Sequence, residues 1–151
     1  MIKKGMLVLM IMLFTAWNVI AQEARITHIN GTVEIRPAGE REWRPASVGM
    51  VVGKNTVIST GIRSRALLSL GASTVTVEPV TMLTLEELIQ RDGSEEAVMH
   101  LRTGRIRADV SPPSGLRAEF SVTSPTATAS VRGTSFTFNG RRLTTDRKSV
   151  V

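Results

Sequence analysis

Past about residue 24, turn residues interrupt this chain roughly every ten positions, and the segments between them are short and alternating. Arg25–Ile29, Thr32–Arg36, Thr56–Thr60, Ser64–Leu70, Val75–Val77, Met82–Leu85, Ala97–Leu101, Arg105–Val110 and Arg117–Thr123 each read as a strand. Asn30-Gly31, Pro37-Ala38-Gly39, Gly61, Gly71, Pro79, Asp92-Gly93, Gly104 and Pro112-Pro113-Ser114-Gly115 punctuate them. Such segments are too short for stable helices and suit strands that bury one face. The fold class is therefore all-β: short twisted strands in a two-sheet sandwich or a short β-solenoid. Asn30-Gly31 is the strongest two-residue hairpin signal. Leu85-Glu86-Glu87-Leu88-Ile89 alone has helical spacing, and we read it as a strand end with one helical turn.

The most informative stretch is Ser124-Pro125-Thr126-Ala127-Thr128-Ala129-Ser130-Val131-Arg132-Gly133-Thr134, followed by Ser135-Phe136-Thr137-Phe138. Pro125 has no N–H for a ladder, so it suits a strand entry or an edge. From Ala127 the alternation puts Ala127, Ala129 and Val131 on one face, with Thr126, Thr128, Ser130 and Arg132 on the other. Gly133 interrupts the run as a bulge would, and is expected to have positive φ.

Pro125 to Phe136 resembles the "PTATAAVRGT-x-F" signature of FecR domains, with Ser130 where alanine is usual. The middle of the chain resembles the same family through Trp43, Gly49, Gly53, Thr60-Gly61, Ser64-Arg65-Ala66, Leu68, Leu70, Gly71 and Ser73. Lys54 stands in place of an acid there, and Ala72 where a turn glycine is common. Leu101-Arg102-Thr103-Gly104-Arg105-Ile106 is similar to the family's "L-x-x-G-x-L" step. The resemblance spans about Ile29 to Phe138. It implies a periplasmic signalling module, a class first known from iron-citrate signalling.

The organisation expected is a signal peptide at 1–21, a FecR-like β domain at 22–138 and, at 139–151, a basic polar tail whose composition suits a truncated or frameshifted end. Lys3 and Lys4 precede an apolar run from Met6 to about Ile20, and Val19-Ile20-Ala21 supplies a cleavage site after Ala21. That run is short for a span. The predicted location is periplasmic or secreted, and with no cysteine the chain is not a lipoprotein. About five residues precede the apolar run, so no sigma factor is expected to bind this chain directly. The tail lacks the apolar alternation of a closing hairpin, although Asn139-Gly140 could turn one. The strand Val131–Phe138 is therefore expected to present an open edge, ready for a partner strand or for self-association.

Loss of Lys3 and Lys4 with the leader lowers the formal charge from +6 to about +4. The basic residues are spread along the sequence, which suits a solvated surface or weak attraction to an anionic envelope polymer. An exported chain with no Tyr and 4% aromatic residues is a poor nucleic-acid binder.

No cofactor and no catalytic or metal site is predicted. His28 and His100 are the only histidines, and no serine sits in a G-x-S-x-G elbow. Glu86-Glu87 and Glu95-Glu96 are adjacent pairs that a strand would point to opposite faces, and we expect solvated edges. Arg132 is expected to pair with a carboxylate or cap a carbonyl at the Gly133 break, or else to recognise a partner's carboxylate or backbone. Trp43 is expected to be a core anchor between sheets. The candidate recognition motif is Pro125, Thr126, Thr128, Val131, Arg132, Gly133 and Thr134. The function expected is an exported, non-catalytic module engaging an envelope protein, with an envelope-polymer binder or scaffold as the alternative.

Overall fold

A computed structural model describes residues 23–91, 93–112 and 114–146. The expected leader and the last five residues lie outside the described residues. The strands are β1 (Ala24–Asn30), β2 (Val33–Arg36), β3 (Arg44–Pro45), β4 (Val51–Val52), β5 (Thr56–Thr60), β6 (Arg65–Leu70) and β7 (Ser73–Val77). They continue as β8 (Met82–Arg91), β9 (Ser94–Thr103), β10 (Ile106–Val110), β11 (Arg117–Thr123), β12 (Thr128–Arg132), β13 (Ser135–Phe138) and β14 (Leu143–Asp146). Two seven-stranded sheets form a sandwich: β14-β13-β10-β7-β6-β1-β4 is the first, and β12-β11-β9-β8-β5-β2-β3 the second.

Alternation decides which side chains meet between the sheets. Ile58 on β5, Leu68 and Leu70 on β6, Val75 and Val77 on β7, Met99 and Leu101 on β9, and Ile106 on β10 are all buried. Phe120 of β11 meets Phe136 of β13 edge-on, with ring centroids 5.9 Å apart, joining the sheets near one side of the sandwich. Each such side chain contributes roughly 1.5–3 kcal/mol on full burial.

The chain moves across the sandwich from the β3/β4 side to the β12/β14 side, repeatedly crossing between sheets. One coil-like turn results: β9 leads through β10 to β11, which lies parallel to β9. Sequence alternation predicted an all-β fold and left sandwich and solenoid open; the structure is the sandwich, and several local expectations differ from it. Asn30-Gly31 is a corner between sheets, not a hairpin, because β1 belongs to the first sheet and β2 to the second. Gly31 has φ +77, and a Cβ there would stand 3.0 Å from Ser64 Cα. The Ser64 hydroxyl instead accepts from the Thr32 amide at 2.9 Å. The Leu85–Ile89 segment has no helical turn. It continues β8 through a register shift between Leu85 and Glu87 against β9.

The expected strand Val131–Phe138 is two strands in different sheets, separated by Gly133 and Thr134. β13 is flanked on both sides, by β10 and by β14. The 139–151 segment is thus not simply a tail: Leu143–Asp146 forms a strand although all four residues are exposed. Backbone pairing, not apolar burial, puts it there. Among the described residues the outer strands on this side of the sandwich are β12 in one sheet and β14 in the other.

All the crossings at one end of the sandwich are stitched together. Thr60 Oγ1 donates to Glu78 O at 2.6 Å and accepts from the Thr81 amide at 3.0 Å. Thr81 Oγ1 donates to Arg105 O at 3.1 Å and accepts from the Arg105 amide at 3.0 Å. These buried or half-buried hydroxyls satisfy backbone groups that leave their ladders at the corners.

Candidate functional site: the β12 edge and the cavity beside it

The signature stretch changes role three times along its length. Ser124–Ala127 is a tight turn that leads into the outer strand β12: the Ser124 amide donates to Ala127 O at 2.7 Å, and Ser124 Oγ accepts from the Ala127 amide at 3.0 Å. Ser124 Oγ also lies 2.6 Å from Gly140 O, to which Thr126 Oγ1 donates at 3.0 Å. The turn carrying Pro125 and Thr126 is thereby fastened to the Asn139–Arg142 turn of the other sheet. In that second turn Asn139 Oδ1 accepts from the Arg142 amide at 2.8 Å, a side-chain mimic of a backbone turn that joins β13 to β14.

β12 follows, with Ala129 and Val131 buried and Thr128, Ser130 and Arg132 exposed, as the alternation requires. It pairs with β11 from Thr123↔Thr128 to Glu119↔Arg132. On its other side no strand lies among the described residues. Half of its ladder groups therefore face outwards, available to an added strand. At its end Gly133 has φ +59, the positive value expected, and its amide donates to Ala118 O at 2.9 Å. Nothing lies within 4 Å of the place a Cβ would take, so backbone conformation and not space demands glycine. Thr134 Oγ1 donates back to Arg132 O at 3.2 Å, closing the corner.

Arg132 pairs with a carboxylate: its Nε donates to Glu119 Oε2 at 2.9 Å, directly across the ladder. Ser130 Oγ reaches Glu119 Oε1 at 3.4 Å. The polar face of β12 is thus organised by one acid on the neighbouring strand.

Beside Arg132 and Gly133 opens a cavity of about 400 Å³, bordered also by Glu95, Pro112, Leu116 and Arg117. Glu95 corrects the expectation of a solvated edge. It is 1% exposed, while Glu96 faces outwards. It stands on β9 in step with buried Ala97, Met99 and Leu101, so the inward parity was legible in the sequence even though its charge argued for the surface. Its Oε2 accepts from the Ala72 amide at 3.1 Å, tying β9 of one sheet to the β6–β7 turn of the other. Oε1 has no hydrogen-bond partner among the described residues. Desolvation pushes the Glu95 carboxyl above its ordinary range, opposed by the Ala72 amide and by nearby Ser73. Ser73 Oγ lies near the carboxyl without a hydrogen bond to it.

Trp43 is not the core anchor expected. It is half-buried outside the core cluster, and the Arg36 guanidinium carbon lies 4.9 Å from its ring centroid. Its position on the β2–β3 connection, at one side of the sandwich, keeps it from reaching between the sheets. His28 is exposed, and half-buried His100 shares a 2.8 Å hydrogen bond between Nδ1 and Thr123 Oγ1. The structure does not bring Trp43 or either histidine into contact with the β12 motif.

The model of the family described as FecR protein matches residues 56–151. That range holds β5 to β14 and runs past the point at which the resemblance was expected to end. Comparison with curated proteins and with solved structures finds no match. Because the matched range takes in well over half of the chain, the protein belongs to the FecR family of signalling-related, typically periplasmic domains.

Proposed function

We propose that this protein is an exported, non-catalytic sensory module that engages a protein of the cell envelope by accepting an extended segment along β12. The observation that carries this reading is the position of β12: it holds the core of the family signature and forms the outer strand of its sheet. Added strands gain affinity from main-chain hydrogen bonds and specificity from alternate side chains. On β12 those side chains are Thr128, Ser130 and Arg132, with Glu119 beneath them. Family membership supports a role in envelope signalling, and the apolar leader read from the sequence supports export.

A photoreactive residue placed at Ser130, compared with one at exposed Thr27 on inner strand β1, tests the proposal in intact cells. An envelope protein crosslinked from position 130 and absent from position 27 is the expected result. Equal products from both positions, or none from 130, would reject it. Retention on isolated envelope that falls steeply with salt, with no crosslinked protein, would favour the anionic-polymer reading instead.

A further inference from the structure

The arginines that look scattered in the sequence are gathered by the fold. The β5–β6, β7–β8 and β13–β14 connections and the β9–β10 corner all lie at one end of the sandwich. They bring together Arg63, Arg65, Arg102, Arg105, Arg141 and Arg142, with Glu78 the acid among them. Glu78 is already taken by Arg65 at 2.8 Å. The other five arginines have no ion-pair partner among the described residues. Arg105 and Arg142 border one shallow depression and Arg102 and Arg141 another, both reaching Asn139, while Arg63 follows Ile62 in the β5–β6 turn. Elsewhere the described residues carry slightly more acids than bases, so the basic excess of the described residues is concentrated at this end.

The same end exposes apolar side chains. Ile62 is 82% and Val80 58% exposed, and the Val80 amide donates to Gly61 O at 3.2 Å, so their two turns are locked side by side. Val80 and Arg105 border a common depression. Val80 has φ +53, where a β-branched residue is strained. Leu143, at the start of β14, is also exposed at this end. A protruding apolar pair on hydrogen-bonded turns, with Arg63 and Arg105 beside it, suits an interface whose outer layer is anionic and whose next layer is hydrocarbon.

We propose that this arginine-rich end docks on an anionic phospholipid bilayer, with Ile62 and Val80 entering the headgroup region and Arg63, Arg102, Arg105, Arg141 and Arg142 contacting lipid phosphates. The strands then stand away from the membrane. The inference is independent of strand addition at β12, and a soluble anionic polymer is disfavoured because it gives the two apolar tips nothing to enter.

The test uses the processed chain recovered after export and phosphatidylcholine vesicles with or without phosphatidylglycerol. All variants keep the parent's N-terminus, and each is checked for an unchanged thermal transition. The expected result is co-sedimentation only with phosphatidylglycerol vesicles. Arg105→Gln and Arg142→Gln should each weaken it about fivefold. Ile62→Ser should weaken it too, while Lys54→Gln, remote at the other end, should leave it unchanged. Equal binding to both vesicle types, no binding, or arginine variants no weaker than Lys54→Gln would overturn the proposal. So would Ile62→Ser binding as well as the parent, together with equal competition by soluble polyphosphate; that outcome would assign the surface to a polymer.

Discussion

Arg132 Nε lies 2.9 Å from Glu119 Oε2, and the two residues are direct partners across the β11–β12 ladder. The pair holds the polar face of the edge strand in order at the point where the chain leaves one sheet for the other. Arg132 is 80% exposed, so water screens the attraction. Arg132→Ala should therefore cost less than about 1 kcal/mol in denaturant unfolding, since exposed pairs contribute little. Crosslinking from position 130 should nevertheless fall, because the substitution removes a guanidinium that the incoming segment would meet. Unchanged crosslinking with a large loss of stability would reverse these roles.

Two glycines with positive φ should respond differently to alanine. At Gly133 the cost is conformational, roughly 1–2 kcal/mol. At Gly104, φ +92, a Cβ would also stand 2.5 Å from Thr81 Cα and 2.6 Å from Val80 O. Both are backbone atoms in the stitched end, and they cannot step aside as a side chain tip could. Gly104→Ala should destabilise by roughly 3 kcal/mol or more, within the range of severe packing defects. Urea midpoints of the two variants check the order; equal midpoints would contradict it.

Glu95 predicts a pH dependence. Its carboxyl is raised from an ordinary value of 4.5 by desolvation. The folded protein therefore binds the proton more tightly than the unfolded chain does. That contribution to stability is full below the unfolded value and is lost as pH rises from about 4.5 through the folded value. Glu95→Gln keeps an acceptor for the Ala72 amide without the charge. Its stability relative to the parent should rise with pH across that window and be level at lower pH. Arg91, Glu96, Arg117, Glu119 and Arg132 lie on or beside the elements around Glu95, so the difference between variant and parent isolates this group. A difference independent of pH would contradict the assignment.

Val80 should be replaceable with profit to the fold. Asparagine tolerates its left-handed conformation better than a β-branched side chain, and Val80→Asn should stabilise by about 1 kcal/mol. Vesicle binding should fall in the same variant. A lower melting temperature would show that Val80 earns its place through packing.

Much of the fold was legible because alternation is a local property. The inward set on β5 to β7 follows from parity alone. Sheet membership was not legible, because an Asn-Gly step with positive φ serves a hairpin at Asn139-Gly140 and a corner at Asn30-Gly31 equally well. Only long-range pairing of β1 with β6 and β2 with β5 separates the two. β14 was hidden because Leu143–Asp146 has no buried face to leave a pattern. Glu95 was misjudged because its charge outweighed its parity, and the arginine end because residues such as Arg63 and Arg142 meet only once the crossings are made. In the signature, the alternation and the positive φ of Gly133 were readable, and the Arg132–carboxylate pair was one of the alternatives the sequence left open, whereas the location of the open edge was not readable.

Strand addition, as proposed, requires that β12 offer an unpaired ladder to another protein. Amide hydrogen exchange along Thr128–Arg132 measures this directly, in the isolated chain and in the complex recovered by crosslinking-guided purification. Alternate amides should exchange fast in the free protein and slowly in the complex. Uniform protection in the free chain, or alternate amides that stay fast when the partner is bound, would contradict it.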